Sequence, residues 1–127
     1  MKPVLSKKES QALDSSAIKK KIITKSKLMD NAGKLSAQFL VEKINDPFNI
    51  KVLVLAGKGD NGGDAIIMHH YLLEYGVESE LHIFNKSSSE PIIKRYKINK
   101  RSIVDNIRNI NEYDWFVDGI FGIGLNR

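Results

Sequence analysis

The apolar run Val52-Leu53-Val54-Leu55-Ala56 ends abruptly in a loop with four glycines among seven residues, Gly57-Lys58-Gly59-Asp60-Asn61-Gly62-Gly63. A helical pattern begins straight after it. A strand that is apolar on both faces suits the centre of a parallel sheet. Glycines without Cβ atoms let backbone N–H groups approach a ligand closely, and the following helix N-terminus favours negative charge. Asp60, Asn61 and Asp64 add polar side chains at the same place. A tight strand-to-helix turn with no ligand is the plainer alternative, since glycines also serve packing.

Neither common nucleotide fingerprint accounts for the loop. The phosphate loop of NTPases needs Lys-Ser or Lys-Thr after its last glycine, whereas Gly63 is followed by Asp64 and Ala65. The pattern G-x-G-x-x-G is met by Gly57, Gly59 and Gly62. However, carboxylates at 60 and 64 would repel a pyrophosphate laid directly on them. Carboxylate and amide oxygens beside backbone donors better suit a cation or the hydroxyl groups of a ligand.

The surrounding periodicities predict a parallel α/β sheet. Ser6-Lys7-Lys8-Glu9 reads as a capping box that opens a first helix with Ala12, Leu13 and Ala17 inward. A second helix runs over 28–44, with Leu28, Ala32, Leu35 and Phe39 beside Met29, Ser36, Leu40 and Ile44, and ends at Asp46-Pro47. Strands are expected at 51–56, 80–84 and 115–118. A helix over 62–75 stops at Gly76, another has Pro91 at or near its first turn, and a short one covers 102–109. The β-α-β-α-β order gives parallel strands. The expected division is a helical region, 1–47, followed by a sheet region, 48–127, within one domain.

Three ordered segments carry a family resemblance. They are the glycine loop, Leu28-Met29-Asp30-Asn31-Ala32-Gly33, and Asp114-Trp115-Phe116-Val117-Asp118-Gly119-Ile120-Phe121-Gly122-Ile123-Gly124-Leu125. Together they resemble the NAD(P)H-hydrate epimerases, the YjeF N-terminal domain family. The resemblance implies a Rossmann-like three-layer αβα fold, incomplete in this chain. It implies an isomerase of metabolite repair that interconverts the R and S forms of hydrated NADH or NADPH. Asp60 stands where the family usually has Asn, and Ala65 where it usually has Gly. Ala65 demands an ordinary helical φ.

The resemblance also assigns residues. Asp60, Asn61, Gly62, Gly63 and Asp64 match the substrate-binding loop. Gly122, Ile123, Gly124, Leu125, Asn126 and Arg127 match the start of a second substrate-contacting loop. Asn61 and Asp118 match ligands of a potassium ion, the implied cofactor. The catalytic Asp is expected beyond Arg127, in an Asp-x-Pro-Ser-Gly segment. A homodimer and a functional link to an NAD(P)H-hydrate dehydratase are implied as well. Relatives of this fold that serve as scaffolds make a non-catalytic binding or scaffold module, or an inactive truncated relative, the alternative.

If Asn61 and Asp118 share a ligand, strand 51–56 must lie beside strand 115–118. Strand 80–84 then falls on the other side, giving order 2-1-3 with a crevice between the first and third strands, where open α/β sheets bind ligands. The third strand is expected to be an unpaired edge.

Composition narrows the rest. The 127 residues are 42% hydrophobic and 28% charged and include no cysteine, which excludes a disulfide framework and thiolate chemistry. No signal-like apolar segment opens the sequence, no run approaches membrane-spanning length, and a cytoplasmic protein is expected. The net charge of +5 comes from clusters at 19–27, 94–97 and 100–101. Solvated helix faces explain them more simply than a nucleic-acid stripe. His69, His70 and His82 lack zinc-ligand spacing and read as structural or surface residues.

Overall fold

The computed structural model describes residues 24–107 and 109–121, together with the backbone of residues 2–3 and 124–126. The capping box, the first helix and the 19–21 part of the basic cluster lie outside the described residues.

β1 (Lys2–Pro3) is followed by α1 (Lys25–Lys43), β2 (Lys51–Ala56), α2 (Gly59–Glu74), β3 (Glu78–Ile83), α3 (Lys86–Tyr96), β4 (Trp115–Gly119) and β5 (Gly124–Asn126). The sheet order is β1-β5-β4-β2-β3. β2 pairs in parallel with both β3 and β4, so the expected 2-1-3 order is present. The expected bare edge at the third strand is not. β4 is flanked by β5 in antiparallel pairing, and β5 by β1. The chain turns back within a few residues of Gly119, and Asp118 faces Gly124 in that register. Reading 122–127 only as a loop hid this return strand.

One apolar cluster joins Val52, Val54 and Ala56 of β2, Leu81 and Ile83 of β3 and Val117 of β4 to Ala37 and Leu40 of α1 and to Ala65, Ile66, Met68 and Leu72 of α2. Burying such side chains is the main stabilising term, about 1.5–3 kcal/mol for each large one. Thr24 caps α1 by accepting the Lys27 N–H. Leu35 and Phe39, expected inward, are 53% and 36% exposed. The buried stripe instead runs through Leu28, Gly33, Ser36, Ala37 and Leu40. Small residues win there because α1 packs tightly on α2: a Cβ on Gly33 would sit 2.4 Å from Ile67 Cγ2.

Other boundaries shift for local reasons. α2 begins at Gly59 rather than 62, so the last glycines lie inside its first turns. α3 starts at Lys86, capped by the Asn85 side chain, and Pro91 lies within the helix rather than at its first turn. No helix forms among the described residues of 103–109; the segment expected to be helical at 102–109 is flanked by two 3-10 turns, Lys100–Ser102 and Ile110–Glu112. Their polar caps Asn99 and Asn109 fold back on the backbone within two residues.

Candidate functional site

Four glycines build the end of the sheet where β2 passes into α2. Gly59 carries φ +72° and leads the chain from the strand into the helix. Gly62 lies so close to the preceding loop that an added Cβ would fall 1.8 Å from Gly57 O. Gly63 faces Met29 Cε of α1 and Ile92 Cδ1 of α3, at 2.3 and 2.8 Å from the same kind of virtual atom. Gly119 at the end of β4 meets Ala65 Cβ at 2.3 Å and Leu55 O at 2.6 Å. Only glycines allow three helices, the loop and a neighbouring strand to converge this tightly.

β4 docks against the loop through its register with β2. Leu55 pairs with Asp118 and Ala56 with Gly119, and Gly57 N–H donates to Gly119 O at 3.0 Å. Asp118 therefore stands at the carboxyl end of β4 beside the glycine loop. Its Oδ1 accepts the Ile120 N–H at 2.9 Å, which fixes the carboxylate against the turn. The backbone oxygen of Asn61 lies 3.3 Å from the virtual Cβ of Gly119, so the first turn of α2 abuts Asp118-Gly119. Asn61, Asp64 and Asp118 are half-buried, Gly62 and Gly63 buried, and Asp60 exposed. The structure thus brings together Asn61, Gly62, Gly63 and Asp118. Ala65 is an ordinary helical residue, as expected from its Cβ. Gly124, Leu125 and Asn126 form β5, while Gly122, Ile123 and Arg127 lie outside the described residues.

Spacing alone did not reveal two neighbours of this edge. Lys25 at the start of α1 pairs with Asp60, Nζ to Oδ1 3.2 Å. Asp30 accepts from Tyr71 OH at 2.7 Å and Tyr96 OH at 2.6 Å, tying α1 to α2 and α3. Burial and this carboxylate push the Tyr71 phenol up to about 12 and raise that of Tyr96 as well. Both stay protonated donors, so Tyr96 of the basic cluster is committed to the helix seam. Lys94 of the same cluster pairs with Glu90. A hydrophobic residue next to Asp30 in the Leu-Met-Asp motif was the one available sign that this helix faces the loop.

The histidines take structural places. His69 is fully buried, with Nδ1 2.6 Å from Ser79 Oγ and Nε2 3.0 Å from Ser102 Oγ. Ser102 Oγ donates to Asn99 O, so it accepts from a protonated Nε2, and Nδ1 accepts from Ser79. Burial, helped by neighbouring His70, lowers the His69 pKa to about 3. Among the described residues no three of His, Cys, Asp and Glu gather as a metal-binding group. A cleft of about 370 Å³ opens at the opposite sheet end, by Asp46, Asn49 and Trp115, away from the glycine loop. No helix among the described residues is long and apolar enough to cross a membrane.

The model of the family described as YjeF-related protein N-terminus matches residues 25–127. The chain belongs to this family. Within the YjeF-related group it is 34% identical to an NAD(P)H-hydrate epimerase of Oenococcus oeni, over 97% of this chain and 60% of that one. It is 32% identical to an NAD(P)H-hydrate epimerase of Lentilactobacillus buchneri, over 100% of this chain and 61% of the relative. A bifunctional NAD(P)H-hydrate repair enzyme of Dictyoglomus turgidum is 36% identical over 79% of this chain and 21% of its own length. The chain therefore spans less than two thirds of each of these relatives. The crystal structure of yeast ynu0 matches with a TM-score of 0.65 at 20% identity, over 93% of this chain and 56% of that one, which shows the shared fold.

Proposed function

We propose that this chain forms the substrate-cradling part of an NAD(P)H-hydrate epimerase, which interconverts the R and S forms of hydrated NADH or NADPH for repair. The observation that supports this reading is the β2–β4 register that sets Asp118 and Gly119 beside the first turn of α2, where the backbone oxygen of Asn61 lies 3.3 Å from the virtual Cβ of Gly119. The relatives named for this activity support it. Asp60, Asn61, Gly62, Gly63 and Asp64 line the loop toward the dinucleotide. Gly122 to Arg127 are assigned by the family resemblance to the start of a second substrate-contacting loop.

Potassium fits the donor set. A half-buried carboxylate, an amide side chain and nearby backbone carbonyls offer hard oxygens with little negative charge, as a monovalent cation prefers. Asn61 and Asp118 would hold it, and when bound it would supply positive charge that orients the hydrated cofactor. The Ile120 N–H keeps the Asp118 carboxylate turned to that edge. The group that moves the proton belongs to the part of the family domain past Arg127. This cytoplasmic repair role includes assembly as a homodimer and coupling to a dehydratase, for which the bifunctional relative is a precedent in name.

The test is chromatographic. Purified chain is incubated with the R form of hydrated NADH, with Asp118→Ala alongside, with and without potassium. With the proton-moving group assigned past Arg127, the reading predicts potassium-dependent binding of the hydrated cofactor without turnover, abolished by the substitution. Neither binding nor turnover would contradict it and favour a scaffold module.

A further inference from the structure

Lys25 and Asp60 bridge the seam between α1 and α2 at the mouth of the glycine loop. The pair is not what closes that seam. Its side chains are 64% and 61% exposed, and exposed pairs contribute only about 0–1 kcal/mol. Met29 on Gly63 and Ile67 on Gly33 do the packing, where a single methyl group would not fit. The pair therefore has a position in search of a role. Asp60 lies in the first turn of α2, next to Asn61. A carboxylate there repels an approaching anion and takes the electrostatic place at the helix start that the anion would otherwise gain. Lys25 cancels that charge from the adjacent helix.

Resting on the epimerase reading, we infer that Lys25 is a substrate-positioning residue, held by Asp60 in the free chain and sharing or transferring its ammonium group to a phosphate oxygen of the bound dinucleotide. The chemistry permits this. An ammonium group carries three donors on a flexible stem, and one contact to Asp60 leaves others for a ligand. The exposure of both groups keeps the exchange with a ligand cheap. Asp60 then sets how strongly an anion must compete, so the pair tunes affinity for phosphate-bearing ligands instead of fold stability.

The experiment measures the Kd of hydrated NADH for the full chain and for Lys25→Met, Lys25→Arg, Asp60→Asn and the double variant Lys25→Met with Asp60→Asn, together with their melting temperatures. Loss of one charge-assisted phosphate contact predicts a Kd about tenfold weaker for Lys25→Met. Lys25→Arg should stay within about twofold, because the charge and donors remain. Asp60→Asn alone should bind more tightly than the parent, Lys25→Met should still weaken binding several-fold in that background because the phosphate contact is lost, and the effect of Lys25→Met should shrink at high salt. Melting temperatures should stay within about 2 °C of the parent, as an exposed pair predicts. A Lys25→Met chain that binds as the parent does, or a double variant that binds as well as Asp60→Asn alone, overturns the inference. If the parent binds no hydrated NADH, the epimerase reading fails, and inorganic pyrophosphate becomes the probe. Pyrophosphate binding lost in Lys25→Met would uphold the positioning role alone, and its absence or indifference to the substitution would overturn that too.

Discussion

The β2–α2 junction and the crossover between α3 and β4 are both non-repetitive, yet they are held in opposite ways. The junction at 57–63 is fixed by backbone approach. Its glycines touch Gly57 O, Met29, Ile92 and the neighbouring strand, and its polar side chains are left half-buried or exposed. The crossover at 97–114 is fixed by side chains. Ser102 is held by His69, Val104 O accepts from His82 Nδ1 at 2.9 Å, and Tyr113 OH donates to Glu80. A rigid glycine backbone that presents half-buried and exposed polar groups suits a binding site; a loop anchored to the sheet by its side chains is structural.

The largest break in this contrast is expected at Gly62. Gly62→Ala would drive a methyl group into Gly57 O, where no side chain can give way. The expected cost is on the order of 3 kcal/mol, a melting-temperature fall of about 10 °C by calorimetry. Gly59→Ala makes a useful partner, because nothing lies within 4 Å of its virtual Cβ and only the positive φ resists. About 1 kcal/mol is expected there.

The crossover should break next, through its buried donor. His69→Ala leaves Ser79 and Ser102 without their ring partner and opens a cavity, so about 2–4 kcal/mol is expected by urea unfolding. The same residue makes the fold acid-sensitive. Its pKa is lowered to about 3 in the folded chain, against an ordinary 6.5, so the unfolded chain binds the extra proton. The stability that neutral His69 allows is present above pH 6.5 and is lost as pH falls toward 3. The unfolding free energy should drop by up to about 1.4 kcal/mol per pH unit between pH 6 and 5, and His69→Gln should flatten that slope.

The smallest effect sharpens the comparison. Ser102→Ala removes one bond to His69 and should cost about 1 kcal/mol. Hydrogen exchange should quicken at Val104, whose N–H donates to Leu81 O at 2.8 Å, while the amide of Gly57 stays protected.

Sequence legibility follows the same divide. The apolar run of β2 and the glycines after it made the strand, the turn and the crevice readable, because backbone needs are written locally. The 2-1-3 order followed from requiring Asn61 and Asp118 to meet. The crossover was misread as a helix at 102–109, because its real partners, His69 and His82, are tens of residues away and leave no periodic trace. Lys25 was invisible for the same reason: nothing in spacing links it to Asp60. β5 was missed because three residues show no alternation, and only its register with β4 defines it.

The most direct test of the account maps where the ligand goes. Hydrated NADH is titrated into 15N-labelled chain with potassium present, and amide shifts are followed. The account predicts saturable shifts at Gly57, Asn61, Gly62, Gly63, Asp118 and Gly119, with Ser79, Ser102 and Val104 unmoved. Shifts centred on 94–104, or none at all, would contradict it.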